Sequence, residues 1–151
     1  MKINDIRENF HSFNMLRRSI IDKRFNYSGI YFGQPPILEY LNENDGATQR
    51  EIADFLNISA ASVAVSVKRM EKSGLLMRVC DSHDARRNNL KLTDEGRRRL
   101  QFAHSTFEEI DEITFKGFST EELNALGSFL CRMSENLQKS ISECEKEDKN
   151  A

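Results

Sequence analysis

The 151-residue sequence predicts a mainly α-helical protein with one small β-hairpin. Three observations support this fold class. Two short helical patterns follow each other between Thr48 and Gly74, an alternating hairpin pattern comes directly after them, and long amphipathic helical patterns stand at both ends of the chain. Together they predict a winged helix-turn-helix with N- and C-terminal dimerisation helices.

Local capping residues delimit the two central helices. Thr48 and Glu51 form a capping box, in which each side chain satisfies a backbone N–H, so the first helix starts near Gln49. Asn57 ends this helix, because Asn tolerates the left-handed conformation that a tight turn needs. Ser59 can cap the second helix. The apolar face of the first helix is predicted from Ile52, Ala53, Phe55 and Leu56.

The second helix has two different faces. Val63, Val67 and Met70 recur at helical spacing and are predicted to point inward. The outer face is small and uncharged in its first two turns, so that its backbone can lie close in a major groove, and cationic in its last turn. A plain solvated surface is the alternative for these residues. The outward set is Ala60, Ala61, Ser62, Val65, Ser66, Lys68 and Arg69.

A basic hairpin follows the second helix. Gly74 stands at the position just past the helix end, where glycine is favoured. Leu75–Val79 reads as a strand that leaves the helix, and Asn89–Leu92 alternates as a returning strand. The loop between them, Asp81–Asn88, is polar and carries two arginines at its tip. This combination is typical of a winged helix-turn-helix.

At these residues the sequence resembles the MarR family of bacterial transcriptional regulators. The resemblance lies in Thr48-Gln49 with Glu51-Ile52-Ala53, in Lys72-Ser73-Gly74-Leu75-Leu76 with Arg78, and in the pattern Asp81-x-x-Asp84-x-Arg86-x-x-x-Leu90-x-Leu92-Thr93-x-x-Gly96. It implies a homodimer whose paired winged helices bind a pseudo-palindromic operator and are often released by a small ligand. It also implies that Arg86 enters the minor groove while Asp84 holds its guanidinium. Asn57 and His83 depart from the residues that are usual in the family.

The charge distribution suits a DNA partner although the net charge is −2. Residues 59–99 contain 10 basic and 5 acidic residues and carry +5, whereas residues 1–58 carry −1 and residues 100–151 carry −6. Screening limits exposed charges to roughly 8 Å at physiological salt, so the acidic remainder does not prevent phosphate contacts. The predicted DNA-binding residues are Ser59, Ala60, Ala61, Ser62, Val65, Ser66, Lys68, Arg69, Arg78, Asp84, Arg86 and Arg87.

The terminal helices predict a dimer. Each is apolar along one side, so each must bury that side against other helices of the chain or against a second copy. We favour the homodimer over a monomer whose terminal helices fold onto the winged lobe. We expect one MarR-type domain over residues 1–151, with the winged lobe at 34–96 and dimerisation helices at 1–25 and 97–147. The apolar stripes are Ile3, Ile6, Phe10, Phe13, Leu16 and Ile20, and Leu123, Leu126, Leu130, Met133, Leu137 and Ile141.

The segment Asn26–Gln34 reads as a loop, since it contains two glycines among its aromatic residues. Tyr27, Tyr31 and Phe32 can line a cavity for a small-molecule effector. The alternative is that they fill the join between the dimerisation helices and the winged lobe, and general considerations favour it.

The sequence argues against an enzyme. It has no Gly-rich phosphate loop, nucleophile elbow or metalloprotease motif, and its three cysteines lie at no metal-ligand spacing, so we expect no cofactor and no metal. No apolar run is long enough to span a membrane and the first ten residues lack a signal-peptide core, so we expect a cytoplasmic protein. The remaining alternative to a DNA-binding regulator is a winged-helix module that binds protein, in which the wing arginines are surface charge.

Overall fold

The computed structural model describes residues 2–80 and 88–148 of the chain. Over these residues the chain forms six helices and two strands, so the predicted mainly α fold with one hairpin is confirmed. It divides into two compact units, Met1–Ile110 and Asp111–Ala151. The elements are α1 (Ile3–Ser28), α2 (Pro35–Glu43), α3 (Gln49–Leu56), α4 (Ala60–Lys72), β1 (Leu76–Cys80), β2 (Asn88–Leu92), α5 (Asp94–Thr114) and α6 (Thr120–Asp148).

The helix ends of the first unit follow the predicted capping residues. Thr48 Oγ1 accepts from the Glu51 backbone N at 3.3 Å, and Glu51 Oε2 accepts from the Thr48 backbone N at 2.7 Å. Asn57 has a φ of 51°, and its N–H donates to carbonyls in the last turn of α3. Ser59 Oγ accepts from the backbone N of Ser62 at 3.2 Å. The predicted turn between α3 and α4 is therefore confirmed.

One continuous apolar core holds α2, α3, α4 and the hairpin together. Val63, Val67 and Met70 are fully buried in it, as the helical spacing predicts. Its buried members are Ile37, Leu38, Leu41, Ala47, Ile52, Ala53, Val63, Val67, Met70, Leu75, Leu76, Leu90, Leu92 and Leu100.

The expectation for Phe55 was wrong. Its side chain is 64% exposed, and its ring contacts that of Tyr40 at a tilt of 38°, with centroids 4.6 Å apart. An eight-residue helix buries only one narrow stripe, which Ile52 and Ala53 already occupy, so the aromatic ring lies at the edge of the core.

The two strands pair antiparallel, with Leu76 opposite Leu92 and Arg78 opposite Leu90. Both lie about one residue from the predicted bounds. The segment before α3 joins the sheet through an isolated bridge, since the Leu90 N donates to the Ala47 carbonyl at 2.9 Å. This bridge fixes the hairpin to the start of the helix pair.

A second buried cluster joins α1 to α5 within the first unit. It contains Ile21, Phe25 and Ile110, and the rings of Phe25 and Phe107 meet edge to face with centroids 5.6 Å apart. This packing explains why the predicted loop at 26–34 starts too early. The helix continues past Phe25 to Ser28 and ends at Gly29, whose φ of 71° allows the left-handed cap.

The first two thirds of α1, from Ile3 to Ile20, leave their apolar stripe in solvent. Within this one chain, each of these side chains has 40% or more of its surface exposed: Ile3, Ile6, Phe10, Phe13, Leu16 and Ile20.

The second unit contains the last residues of α5, a turn and the long helix α6. Gly117 has a φ of 88°, and Ser119 and Glu122 form the predicted capping box. The apolar stripe of α6 is also exposed in the single chain, with Leu137 at 68% and Ile141 at 59%. Both units therefore present an apolar helix face to solvent.

Candidate nucleic-acid interface

Helix α4 is held so that one fixed face remains outward. Val63, Val67 and Met70 anchor the opposite face in the core with no exposed surface. Because three buried side chains span two turns of the helix, the helix cannot rotate about its axis without exposing one of them. The outward residues are consequently presented at a defined angle.

The outward face of α4 changes in chemistry along its length. Ala60, Ala61 and Ser62 are exposed in its first turn, and Val65 is 54% exposed in its second. Ser66, which the sequence predicts to face outward, is only partly exposed. A helix with such small side chains can approach base edges closely, where a hydroxyl can hydrogen-bond and a valine can touch a thymine methyl.

The last turn of α4 is cationic. Lys68 and Arg69 are exposed, as the sequence predicts, and Lys72 extends the same basic end. Ala64 is also exposed, next to Val65. Ala64 and Lys72 were not among the predicted contact residues, although simple helical spacing places both outside the buried stripe.

Arg78 lies in a different environment from Lys68 and Arg69. Its Nε donates to Glu71 Oε1 at 2.7 Å and its Nη2 donates to Glu71 Oε2 at 3.1 Å. The sequence groups Arg78 with the predicted DNA-contacting residues, and the structure pairs its guanidinium with Glu71 while 38% of the side chain stays exposed.

The wing tip carries three of the predicted DNA contacts. Asp84, Arg86 and Arg87 lie outside the described residues, so their contacts stay predictions. The described part of the hairpin leads the chain to that loop through the paired residues Val79 and Asn89. The hairpin therefore starts close to the end of α4, since Leu76 follows Lys72 by four residues.

The Thr and Gly that end the wing pattern have a structural role. Thr93 Oγ1 donates to the Gly74 carbonyl at 2.6 Å and accepts from the Gly96 N at 3.0 Å. A Cβ at Gly96 would stand 2.0 Å from the Leu75 carbonyl oxygen. Only glycine fits there, so the start of α5 packs directly against the segment that joins α4 to β1.

Three successive arginines lie in the first two turns of α5, and two of them pair with Glu95. Arg99 Nε donates to Glu95 Oε1 at 2.6 Å, and Arg98 Nη2 lies 2.9 Å from Glu95 Oε2. Hydrogen bonds from Arg99 and then Arg98 hold the pKa of Glu95 below its ordinary value. Glu95 thus offsets one of the three arginine charges at this end of α5.

The predicted ligand residues do not share one cavity lining. Phe32 lines a cavity of about 380 Å³ between α1, α2 and α5, and Tyr27 lines a second of about 490 Å³ along the end of α1. Tyr27 is 94% exposed and Tyr31 is 60% exposed, so neither fills a join within this chain. The residues around the first cavity are Arg17, Phe32, Pro35, Pro36, Glu39, His104 and Phe107.

A polar pair closes one side of the Phe32 cavity. His104 Nε2 and Glu39 Oε2 are 2.5 Å apart, which joins α5 to α2 across 65 positions of sequence. This pair could not be predicted from sequence, because the pattern of a helix does not show which other helix it will contact.

Two other classes of site find no support in the described part of the chain. Its His, Cys, Asp and Glu side chains form no group of three that could hold a metal ion. None of its helices has the length and apolarity needed to cross a bilayer.

The model of the MarR family matches residues 28–87, which run from the end of α1 through the helix pair into the wing. Over these residues the chain is similar to the MarR family.

Proteins named as transcriptional regulators, and one protein solved with DNA, match most of the chain. It is 23% identical over 121 residues to the uncharacterised HTH-type transcriptional regulator YybA of Bacillus subtilis, which covers 80% of this chain and 81% of YybA. It is 29% identical over 105 residues to the regulator BilQ of Clostridium symbiosum, covering 70% and 73% of the two chains. The crystal structure of the S. aureus MepR–DNA complex matches with a TM-score of 0.71 and 26% identity, covering 85% of this chain and 93% of MepR.

Proposed function

We propose that this protein is a sequence-specific DNA-binding transcriptional regulator, which binds a pseudo-palindromic operator as a homodimer. The observation that carries the proposal is the fixed outer face of α4, with small uncharged residues in its first turns and Lys68 and Arg69 at its end. The relatives are named as HTH-type transcriptional regulators, and MepR was crystallised with DNA. These names support the same role here.

Fluorescence anisotropy tests the proposal directly. A labelled duplex from the promoter of the protein's own gene and a scrambled duplex of equal length are titrated over a range of salt concentrations. We expect tighter binding to the promoter by at least about 10³-fold, the lower end for specific DNA-binding proteins. Equal affinity for the two duplexes would reject operator recognition. Absence of binding to either duplex would favour the winged-helix module that binds protein.

The homodimer rests on the exposed apolar stripes of α1 and α6. Isolated exposed apolar residues are normal, but long contiguous patches on a soluble protein mark an interaction surface. Here two helices each expose a stripe, and a second copy offers the same two surfaces in return. Sedimentation at micromolar concentration should show twice the chain mass, and a species of 17.5 kDa alone would reject the dimer.

A small-molecule effector is proposed to bind in the Phe32 cavity. The walls of this cavity are largely aromatic and proline carbon, whereas Arg17 and His104 supply cationic or donor groups. A small apolar molecule with one acidic group fits this lining. Because α1, α2 and α5 all border the cavity, an occupant that separates Glu39 from His104 changes how the winged lobe is held by α5.

A matched pair of variants tests this cavity against the second one. Small aromatic carboxylic acids are screened for a rise in the melting temperature and then for release of promoter DNA. Phe32→Trp, which fills the first cavity, should abolish the response, whereas Tyr27→Trp should leave it intact. If Tyr27→Trp abolishes the response and Phe32→Trp does not, the effector binds in the second cavity. If no compound in the library gives a response, the effector is not a small aromatic acid.

Repression is the proposed direction of regulation. A protein that occupies an operator within a promoter excludes the polymerase, and release by an effector then restores transcription. Deleting the gene should raise transcription from the promoter that the protein binds, as measured with a reporter. A fall in transcription would identify an activator instead.

A further inference from the structure

Arg78 has all three nitrogens of its guanidinium engaged within the winged lobe. Nε and Nη2 donate to the two carboxylate oxygens of Glu71, at 2.7 and 3.1 Å. With the amide of Gln49 oriented to satisfy both groups, its oxygen accepts from Nη2 at 2.8 Å and from Nη1 at 3.3 Å. The side chains of Arg78 and Glu71 are partly shielded, with 38% and 27% of their surfaces exposed.

These contacts join three elements at one point. Gln49 is the first residue of α3, Glu71 lies in the last turn of α4, and Arg78 is the third residue of β1. A two-point pairing between a guanidinium and a carboxylate fixes orientation as well as distance. Arg78 is also held by its backbone, since it stands opposite the buried Leu90 in the hairpin.

We infer that Arg78 is a positioning residue that fixes the wing relative to α4, and that it does not contact a DNA phosphate. The inference rests on the proposed DNA-binding function. Four of its five N–H groups are engaged, so a phosphate could take two hydrogen bonds from Arg78 only by breaking its contacts with Glu71 or Gln49, and loss of the Glu71 pair would leave that carboxylate without its partner. Lys68 and Arg69 are exposed on the outer face and require no such exchange.

The physical role follows from the order of the chain. β1 continues from Arg78 through Val79 and Cys80 into the wing loop. A wing held at a fixed angle can meet the DNA backbone at the same time as α4 enters the groove. The entropy lost in ordering the hairpin then belongs to folding and does not weaken DNA binding. Without the pairing, each binding event must also order the hairpin, and affinity falls although no DNA contact has been removed.

Variants at Glu71 distinguish positioning from phosphate contact. If Arg78 positions the wing, Glu71→Gln and Arg78→Lys should each weaken promoter binding about tenfold, because neither retains a two-point charged pair. The slope of log affinity against log salt should stay at the wild-type value. If Arg78 contacts a phosphate, Glu71→Gln should strengthen binding, and Arg78→Ala should reduce the slope by about 0.9. That result would overturn the inference.

Matched controls accompany these variants. Arg69→Ala should reduce the salt slope, which shows that the assay detects the removal of a single phosphate contact. Glu108→Gln removes an exposed carboxylate on α5 and should change neither affinity nor slope. The exchanged pair Arg78→Glu with Glu71→Arg should recover affinity relative to either single change, and failure to recover any would argue against pairing as the cause.

A readout without DNA keeps the inference testable if the proposed function fails. Promoter and scrambled DNA that bind wild-type protein equally would reject the function alone. Hydrogen exchange then judges the pairing, since Glu71→Gln and Arg78→Lys should speed exchange of the β1 amides while those of α6 stay at wild-type rates. Unchanged exchange in β1 would overturn the positioning role.

Discussion

At the scale of single residues, backbone packing decides which glycines can be replaced by a residue with a side chain. Gly96 and Gly127 are both helical glycines, but a Cβ at Gly96 would stand 2.0 Å from the Leu75 carbonyl oxygen and one at Gly127 would meet nothing within 4 Å. The overlap at Gly96 cannot relax cheaply, because its partner is backbone on the segment that holds the wing.

The two glycines should therefore respond in opposite directions to alanine. Gly127→Ala should raise the free energy of unfolding by up to about 1 kcal/mol, the difference in helix propensity between the two residues. Gly96→Ala should lower it by about 1–3 kcal/mol or more, the usual cost of overpacking. Urea denaturation measures both. A stable Gly96→Ala variant would show that α5 can shift away from Leu75.

The sequence predicts contacts between residues within one helical turn, but not contacts between residues far apart in the chain. Thr48 with Glu51, and Ser59 with Ser62, interact within one turn, so their pattern is visible in the sequence and the structure confirms it. Glu39 and His104 meet only because α2 and α5 pack together, and 65 positions separate them. The pair of Arg78 with Glu71 is likewise not visible in the sequence, because nothing near Arg78 shows that β1 returns to the end of α4.

At the scale of elements, the proposed function divides α4 into a first part that contacts base edges and a last turn that contacts phosphates. Ser62→Ala and Val65→Ala should each weaken promoter binding by about 1–3 kcal/mol, the usual worth of a specific interaction with a base edge. Binding to scrambled DNA should change little, because phosphate contacts remain. Ser105→Ala, an exposed serine on α5, is the matched control. Equal weakening on both duplexes would show that these residues do not read bases.

A substitution in the wing should affect DNA binding differently from a substitution in α4. Arg86→Ala removes a positive charge that the family resemblance places in the minor groove. It should weaken binding to promoter and to scrambled DNA alike, and lower the slope of log affinity against log salt by about 0.9. Anisotropy titrations at several salt concentrations measure both effects. An unchanged affinity and slope in a folded dimer would exclude the wing as a DNA contact and favour the protein-binding module.

Element boundaries also show why some predictions missed. The helix of α1 was expected to end near residue 25, because the aromatic and glycine-rich segment after it reads as a loop. Packing of Phe25 against Phe107 extends the helix to Ser28. Phe55 was expected inside, but the buried stripe of α3 holds only Ile52 and Ala53. Both errors arise from tertiary packing that local pattern does not contain.

At the scale of the whole molecule, assembly and DNA binding should be abolished together. Leu16→Glu places a charge on the exposed stripe of α1, where burial against a second copy would leave it unpaired. We expect sedimentation at the mass of one chain and promoter affinity reduced to that of scrambled DNA. Asn14→Glu, on an exposed polar position of the same helix, should preserve the dimer. A dimeric Leu16→Glu protein would place the dimer interface elsewhere.

The exposed stripe of α1 also has a genetic consequence. If the stripe pairs two copies as proposed, a chain that keeps the stripe but carries a damaged α4 should still pair with an intact chain, and the mixed dimer should bind only half of a symmetric operator. When both kinds of chain are made in equal amounts, random pairing leaves about a quarter of the dimers intact. Alleles that damage α4 are therefore expected to be dominant, whereas alleles that destroy the α1 stripe are expected to be recessive, because their products never enter a mixed dimer.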